Sequence, residues 1–262
     1  MRPQTVRIDG PTSSLVVAAG YGPRITELLV DGRNAFASLP EDTLEAPGGP
    51  RYRMRGGHRL WAAPEVPAVT YQPDDSPCTV TPSDARLRVD ATPDGAGLGK
   101  SISMTATSEG WTVDHEITNR SASTMTVGPW AITQLHPGGR ATLGFDSAGA
   151  GLQADRALVF WPYTDPADPR LDLGEDGVQV DASPGPPLKV GVAGGPGWAE
   201  YAFEGVRMRT RIAVDPAADY PDRGASVQVY VHDRFCELET LGPLVELAPG
   251  ASTTHREEWI IT

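Results

Sequence analysis

The chain reads as an all-β sandwich, on three observations. Glycine (29) and proline (25) make up about a fifth of the 262 residues, and both disfavour helix interiors. Short apolar or alternating runs recur along the sequence, separated by turn-forming residues. No sustained apolar pattern appears at helical spacing.

The strand signals run in order along the chain. Residues 15–19 form an apolar run closed by Gly20 and by Gly22-Pro23. Residues 25–30 follow and end at Asp31-Gly32, a strong hairpin signal because both turn positions tolerate positive φ. Residues 101–107 alternate, with Ile102, Met104 and Ala106 on one face. Residues 111–118 alternate too and group Trp111, Val113, His115 and Ile117, which makes His115 a core histidine. Further strands are expected at 125–132, 158–161, 201–203 and 207–214, around Val227, Val229 and Val231, and at 259–261. A short helix is expected near 62–66 or 40–44. Proline-rich loops at 41–50, 64–82, 162–169 and 184–196 are evenly spread, and none reads as a linker. The expectation is one domain over residues 1–262, a length that suits a large all-β unit.

Composition narrows the function classes. The net charge is −12 and the pI about 4.8, so nucleic acid and anionic membrane surfaces are not expected partners. The densest basic group is Arg51, Arg53, Arg55 and Arg59, a local site at most. Cys78 and Cys236 are far apart and read as free thiols of a reducing compartment. No stretch reads as a signal peptide or membrane span, and the cytoplasm is the expected location.

The candidate chemistry lies in a few clusters. Glu237 and Glu239 sit two apart in a strand-like run, so both carboxylates point the same way. Their neighbours Phe235, Leu238 and Leu241 are apolar, and partial burial would raise their pKa toward that of a general acid or base. Two acids on one strand face are poorly placed for glycoside hydrolysis, which needs carboxyls on opposite sides of the scissile bond. The run Gly56-Gly57-His58-Arg59-Leu60-Trp61, followed by Glu65, combines imidazole, guanidinium, indole and carboxylate. Sugars want that mixture: polar groups for hydroxyls and an aromatic face for the ring's C–H surface. A surface turn with a core tryptophan explains it equally well. Trp130, Gln134 and His136 at a strand end, and Asp222 after Tyr220-Pro221, are further candidates, Asp222 reading first as a turn former. Trp161, Tyr163 and Lys189 are weaker ones.

Other chemistries are not legible. There is no HExxH, CxxC, phosphate-binding glycine loop or G-x-S-x-G elbow. The five histidines (58, 115, 136, 232 and 255) are scattered and give no metal cluster readable from sequence. No cofactor or metal is expected.

One resemblance adds to these readings. Leu238-Glu239-Thr240, Pro249-Gly250, His255 and Trp259 resemble the late strands of the aldose 1-epimerase (galactose mutarotase) superfamily. Gly22-Pro23-Arg24-Ile25 through Asp31-Gly32-Arg33-Asn34 looks like the superfamily's opening strand pair, and Asn119 like its Thr-Asn turn. The GGHRLW-x-APE segment, the Tyr220-Pro221-Asp222 loop and the ELETLGP run look like an uncharacterised bacterial branch. The resemblance implies a galactose mutarotase-like β-supersandwich with a concave face that binds a small carbohydrate, without a cofactor. It implies Glu239 as the base that takes the anomeric proton. The superfamily's acid histidine would fall near Ile132, where this chain has none, so His58 or His136 is expected as the acid. Arg59, Trp61, Glu65, Trp130, Gln134, Asp222 and Glu237 are the expected substrate-binding residues. The competing readings are a non-catalytic sugar-binding protein and a lyase or hydrolase acting on a small glycan.

Overall fold

A computed structural model describes residues 5–83, 85–145, 152 and 154–262. The strands, in chain order, are Thr5–Asp9 (β1), Ser14–Ala18 (β2), Arg24–Val30 (β3), Arg33–Asn34 (β4), Ser38–Leu44 (β5), Tyr52–Ala63 (β6), Thr79–Ser83 (β7), Arg86–Asp90 (β8), Leu98–Ala106 (β9), Gly110–Asn119 (β10) and Met125–Leu135 (β11). They continue with Arg140–Gly144 (β12), Ala157–Phe160 (β13), Leu171–Leu173 (β14), Gly177–Asp181 (β15), Leu188–Ala193 (β16), Trp198–Phe203 (β17), Val206–Arg211 (β18), Ala225–His232 (β19), Phe235–Leu241 (β20), Val245–Leu247 (β21) and Ser252–Ile261 (β22). Two single helical turns, Pro67–Thr70 (α1) and Pro221–Gly224 (α2), are the described helices.

The strands form two antiparallel sheets. The first runs β1-β2-β3-β6-β11-β20-β19-β16-β13, with β4, β5 and β21 attached to its side. The second runs β14-β15-β12-β17-β18-β22-β10-β9-β8-β7. Strand alternation puts one face of each sheet inside. Val190, Val192, Val227, Val229 and Val231 from the first sheet meet Ile102, Met104, Val113, Val180 and Ile261 from the second in one core. Each such buried aliphatic side chain contributes roughly 1.5–3 kcal/mol. A second, smaller cluster (Tyr52, Trp61, Trp130, Ile132, Phe235 and Leu241) lies on the other, outward face of the first sheet.

Most of the expected strands form, several of them longer than the sequence suggested. The hairpin signal at Asp31-Gly32 is a tight turn between β3 and β4, with φ of 49° and 79°. The expected helix does not form at 40–44, which lies in β5 paired to the start of β6, nor at 62–66. The one helical turn nearby starts at Pro67, whose ring suits the first helical position.

The Gly56-Gly57 pair lies within β6 rather than in a surface turn. It marks the bend where β6 leaves β5 and joins β3 and β11. Both glycines have positive φ, and a Cβ would stand 1.9 Å from the Ala37 carbonyl oxygen at Gly56 and 2.2 Å from that of Ile25 at Gly57. After this bend the strand phase is fixed: His58 and Leu60 point inward, Arg59 and Trp61 outward.

Candidate functional site

The outward face of the first sheet collects polar side chains from five neighbouring strands. The register aligns them in rows. Arg59 on β6, Ile132 on β11, Glu239 on β20 and Gln228 on β19 are successive cross-strand partners. The next row holds Gly57, Gln134, Glu237, Tyr230 and Lys189. The row on the other side holds Trp61, Trp130 and Leu241. Period-two alternation on each strand makes all these residues share one face.

Two buried ion pairs cross between the rows. Arg59 Nη2 donates to Glu237 Oε1 at 2.8 Å, and Gln134 Nε2 donates to the same oxygen at 2.9 Å. Lys189 Nζ donates to Glu239 Oε2 at 2.7 Å, and the Trp130 indole N–H donates to it at 2.8 Å. The Lys189 ammonium lies between two indoles, 4.8 Å from the Trp130 ring centre and 4.6 Å from that of Trp161. The Arg59 guanidinium lies 4.2 Å from the Trp61 ring centre. Trp161 and Tyr163 belong to a turn pinned to β16: Thr164 Oγ1 donates to the Lys189 carbonyl and accepts from its N–H, each at 2.8 Å.

The unpaired atoms define what the site can do. Glu239 Oε1, Gln134 Oε1, Gln228 Oε1 and Arg59 Nε and Nη1 are buried without a hydrogen-bond partner among the described residues. Buried polar groups are rarely left so, and a cluster of spare donors and acceptors matches a polyhydroxylated ligand. Burial pushes the Glu239 carboxyl up, Lys189 pulls it back, and Glu237 pushes it up again, so that it titrates at about 7. A carboxyl poised near neutrality with one free oxygen is equipped to accept a proton. Burial, with Glu239 beside it, raises the Tyr163 phenol.

The remaining expected residues lie elsewhere. His58 does not share the outward face with Glu239. Its side chain leaves the opposite face of β6 and lies between the sheets, Nδ1 2.9 Å from Thr133 Oγ1 and Nε2 2.7 Å from His115 Nε2. Burial, and next His115, hold its imidazole well below the ordinary histidine range. His136 follows the last residue of β11, with Nε2 3.2 Å from the Asn34 carbonyl. It lines a separate cavity of about 390 Å³ with Leu135, Tyr201, Phe203 and Met208. Glu65 is exposed, and its carboxylate accepts the Tyr71 hydroxyl beside Trp61. Asp222, at φ 52° in α2, accepts from Gln228 Nε2 at 2.8 Å and so holds a site residue.

Gln228 and the pairing of Lys189 with Glu239 escape sequence reasoning. Gln228 carries no signal. Lys189 carries one: it is one of two lysines in the chain and interrupts an apolar strand. His232 shares the outward face and stacks on Tyr230, but it lies four residues, about 13 Å, along β19 from Gln228.

The architecture has relatives among solved structures. Slr1438 from Synechocystis sp. PCC 6803 superposes with a TM-score of 0.61 over 100% of this chain and 96% of that one, at 13% identity. A galactose mutarotase-like protein from Lactobacillus casei ATCC 334 gives 0.53 over 99% and 100%, at 12% identity. The chain has the galactose mutarotase-like β-sandwich fold. Another galactose mutarotase-like protein, from Clostridium acetobutylicum, gives 0.55 over 99% and 95%, at 12% identity. No protein-family profile and no curated protein sequence matches this chain. At these identities the likeness to mutarotase-like structures establishes the fold alone.

Proposed function

We propose that the outward face of the first sheet binds a small carbohydrate and interconverts its anomers. The observation that carries this reading is Glu239. It is fully buried beside the Trp130 indole, has one free oxygen, and titrates at about 7. The part-exposed Trp161 offers an apolar face for a sugar ring, while Arg59, Gln134 and Gln228 offer spare polar atoms for hydroxyls.

In this proposal Glu239 Oε1 takes the proton of the anomeric hydroxyl. Lys189 fills the acid role for which His58 and His136 are misplaced: an ammonium N–H passes its proton to the ring oxygen. The bond from the anomeric carbon to the ring oxygen breaks as the carbonyl forms. The open chain rotates, closes on the other face, and returns both protons. No net proton is gained or lost, and Glu237 holds Arg59 against the sugar.

The test is anomer exchange followed by polarimetry or NMR across a sugar panel. Wild-type protein should exceed the buffer rate, and Glu239→Gln should lower it by on the order of 10²–10⁴-fold. A buffer-level rate for every sugar would remove the catalytic claim. One observation favours the second reading, a binding protein without catalysis: neither His58 nor His136 shares the face of Glu239. Saturable binding without exchange selects it. Absence of both binding and exchange removes the two readings together.

A further inference from the structure

Behind the proposed sugar face, between the two sheets, lies a second buried polar cluster that the reaction above does not use. His58 from β6, His115 from β10 and Glu257 from β22 face one another there. His58 Nε2 lies 2.7 Å from His115 Nε2 and 3.8 Å from Glu257 Oε2, and the three ligand-type atoms fall within 4.8 Å of one another. The three residues are 0%, 0% and 2% exposed.

The surroundings orient these groups toward their common centre. The His115 Nδ1–H donates to the His255 carbonyl at 3.1 Å, which leaves Nε2 as a bare lone pair. His58 is held from behind in the same way, its Nδ1 2.9 Å from Thr133 Oγ1. Glu257 Oε1 accepts from Thr240 Oγ1 at 2.5 Å and Oε2 from the Trp259 indole at 2.8 Å. Imidazoles fixed through their far nitrogen and a carboxylate fixed by hydrogen bonds are the outer support that metal ligands characteristically have. Among the described residues no arginine or lysine pairs with Glu257, so the carboxylate is buried without a fixed cation.

We propose that His58 Nε2, His115 Nε2 and Glu257 Oε2 bind a divalent zinc-type cation that cross-links the two sheets. Two imidazoles and one carboxylate suit zinc, with ligand bonds of about 2.0–2.2 Å. Tetrahedral ligands then stand about 3.3 Å apart. Reaching that geometry takes an opening of the imidazole pair by about half an ångström and a larger inward movement of the Glu257 carboxylate toward His115. The ion is structural: its ligands come from both sheets and point away from the face that carries Glu239.

The closed site dictates the experiment, because a metal must enter while the chain is unfolded. The protein is unfolded with chelator, then refolded without metal, with Zn2+ or with Co2+. Binding predicts one zinc retained per chain after gel filtration, a Tm several degrees above the metal-free sample, and the intense visible absorption of low-coordinate Co2+. Glu257→Gln and His115→Gln should lose the retained zinc, and His136→Ala should keep it. The wild-type comparison needs no variant, so a variant that fails to fold does not decide the matter. Identical Tm with and without metal, together with no retained zinc, would overturn the proposal. The cluster would then be a hydrogen-bond network bridged by a proton. Zinc retained equally by all three variants would overturn it too, by placing the metal elsewhere.

Discussion

Replacing Lys189 with methionine tests the logic of the site through stability alone. In the wild type the ammonium is 2.7 Å from Glu239 Oε2, and both side chains are nearly fully buried. At an effective dielectric of about 20, a pair this close attracts by about 5–6 kcal/mol. That attraction opposes the burial that drives the carboxyl upward. Without it, the folded-state pKa should climb from about 7 to well above 9. The sign follows from linkage. Glu239 has a folded pKa above its ordinary 4.5, so its contribution is fully present below that pH and is lost as pH rises toward the folded value. In the wild type this loss ends near pH 7. In Lys189→Met it continues, at about 1.4 kcal/mol per pH unit, so the deficit should grow by about 3 kcal/mol between pH 7 and 9. Urea unfolding at pH 6, 7, 8 and 9 measures it, and the double variant Lys189→Met/Glu239→Gln should lose the extra slope. Parallel wild-type and Lys189→Met curves from pH 7 to 9 would refute the coupling, and with it the basis for treating Glu239 as a base tuned by Lys189.

Three further outcomes are expected. Gly57→Ala forces a left-handed φ of 74° and a Cβ 2.2 Å from the Ile25 carbonyl, so it should cost about 3 kcal/mol or more by urea unfolding; a loss below about 1 kcal/mol would contradict the bend described for β6. Asn119→Ala removes the buried amide that donates to the Ser123 and Leu247 carbonyls at 2.8 and 2.9 Å, and should cost about 2–4 kcal/mol in the same assay, whereas an unchanged midpoint would show that other groups satisfy them. Burial raises both thiols, Cys78 to about 12 and Cys236 well above its usual value, so a thiol reagent at pH 8 should label the native protein slowly and the unfolded chain at once; rapid native labelling of Cys236 would mean that β20 opens readily.

Much of both sheets was legible because strand alternation is local. Glu237 and Glu239 share a face at any register, and His115 is inside for the same reason as Val113 and Ile117. His58 and Arg59 are the instructive failure. The double glycine ahead of them reads as a loop, where neighbouring side chains can converge. In the structure it is a bend within a strand, and a strand sends consecutive residues to opposite faces. That single phase separates Arg59, which meets Glu237, from His58, which meets His115.

The strand-rich class, the common face of the two glutamates and the turn at Asp31-Gly32 can be read from the residue order, because each depends on residues within a few positions. That Lys189 reaches Glu239, that Trp130 donates to it, and that His58, His115 and Glu257 meet between the sheets emerges only from the folded chain. Those contacts depend on the order β6-β11-β20-β19-β16 and on the stacking of two sheets. Such pairings join residues 50 to 199 positions apart and leave no local periodicity to read.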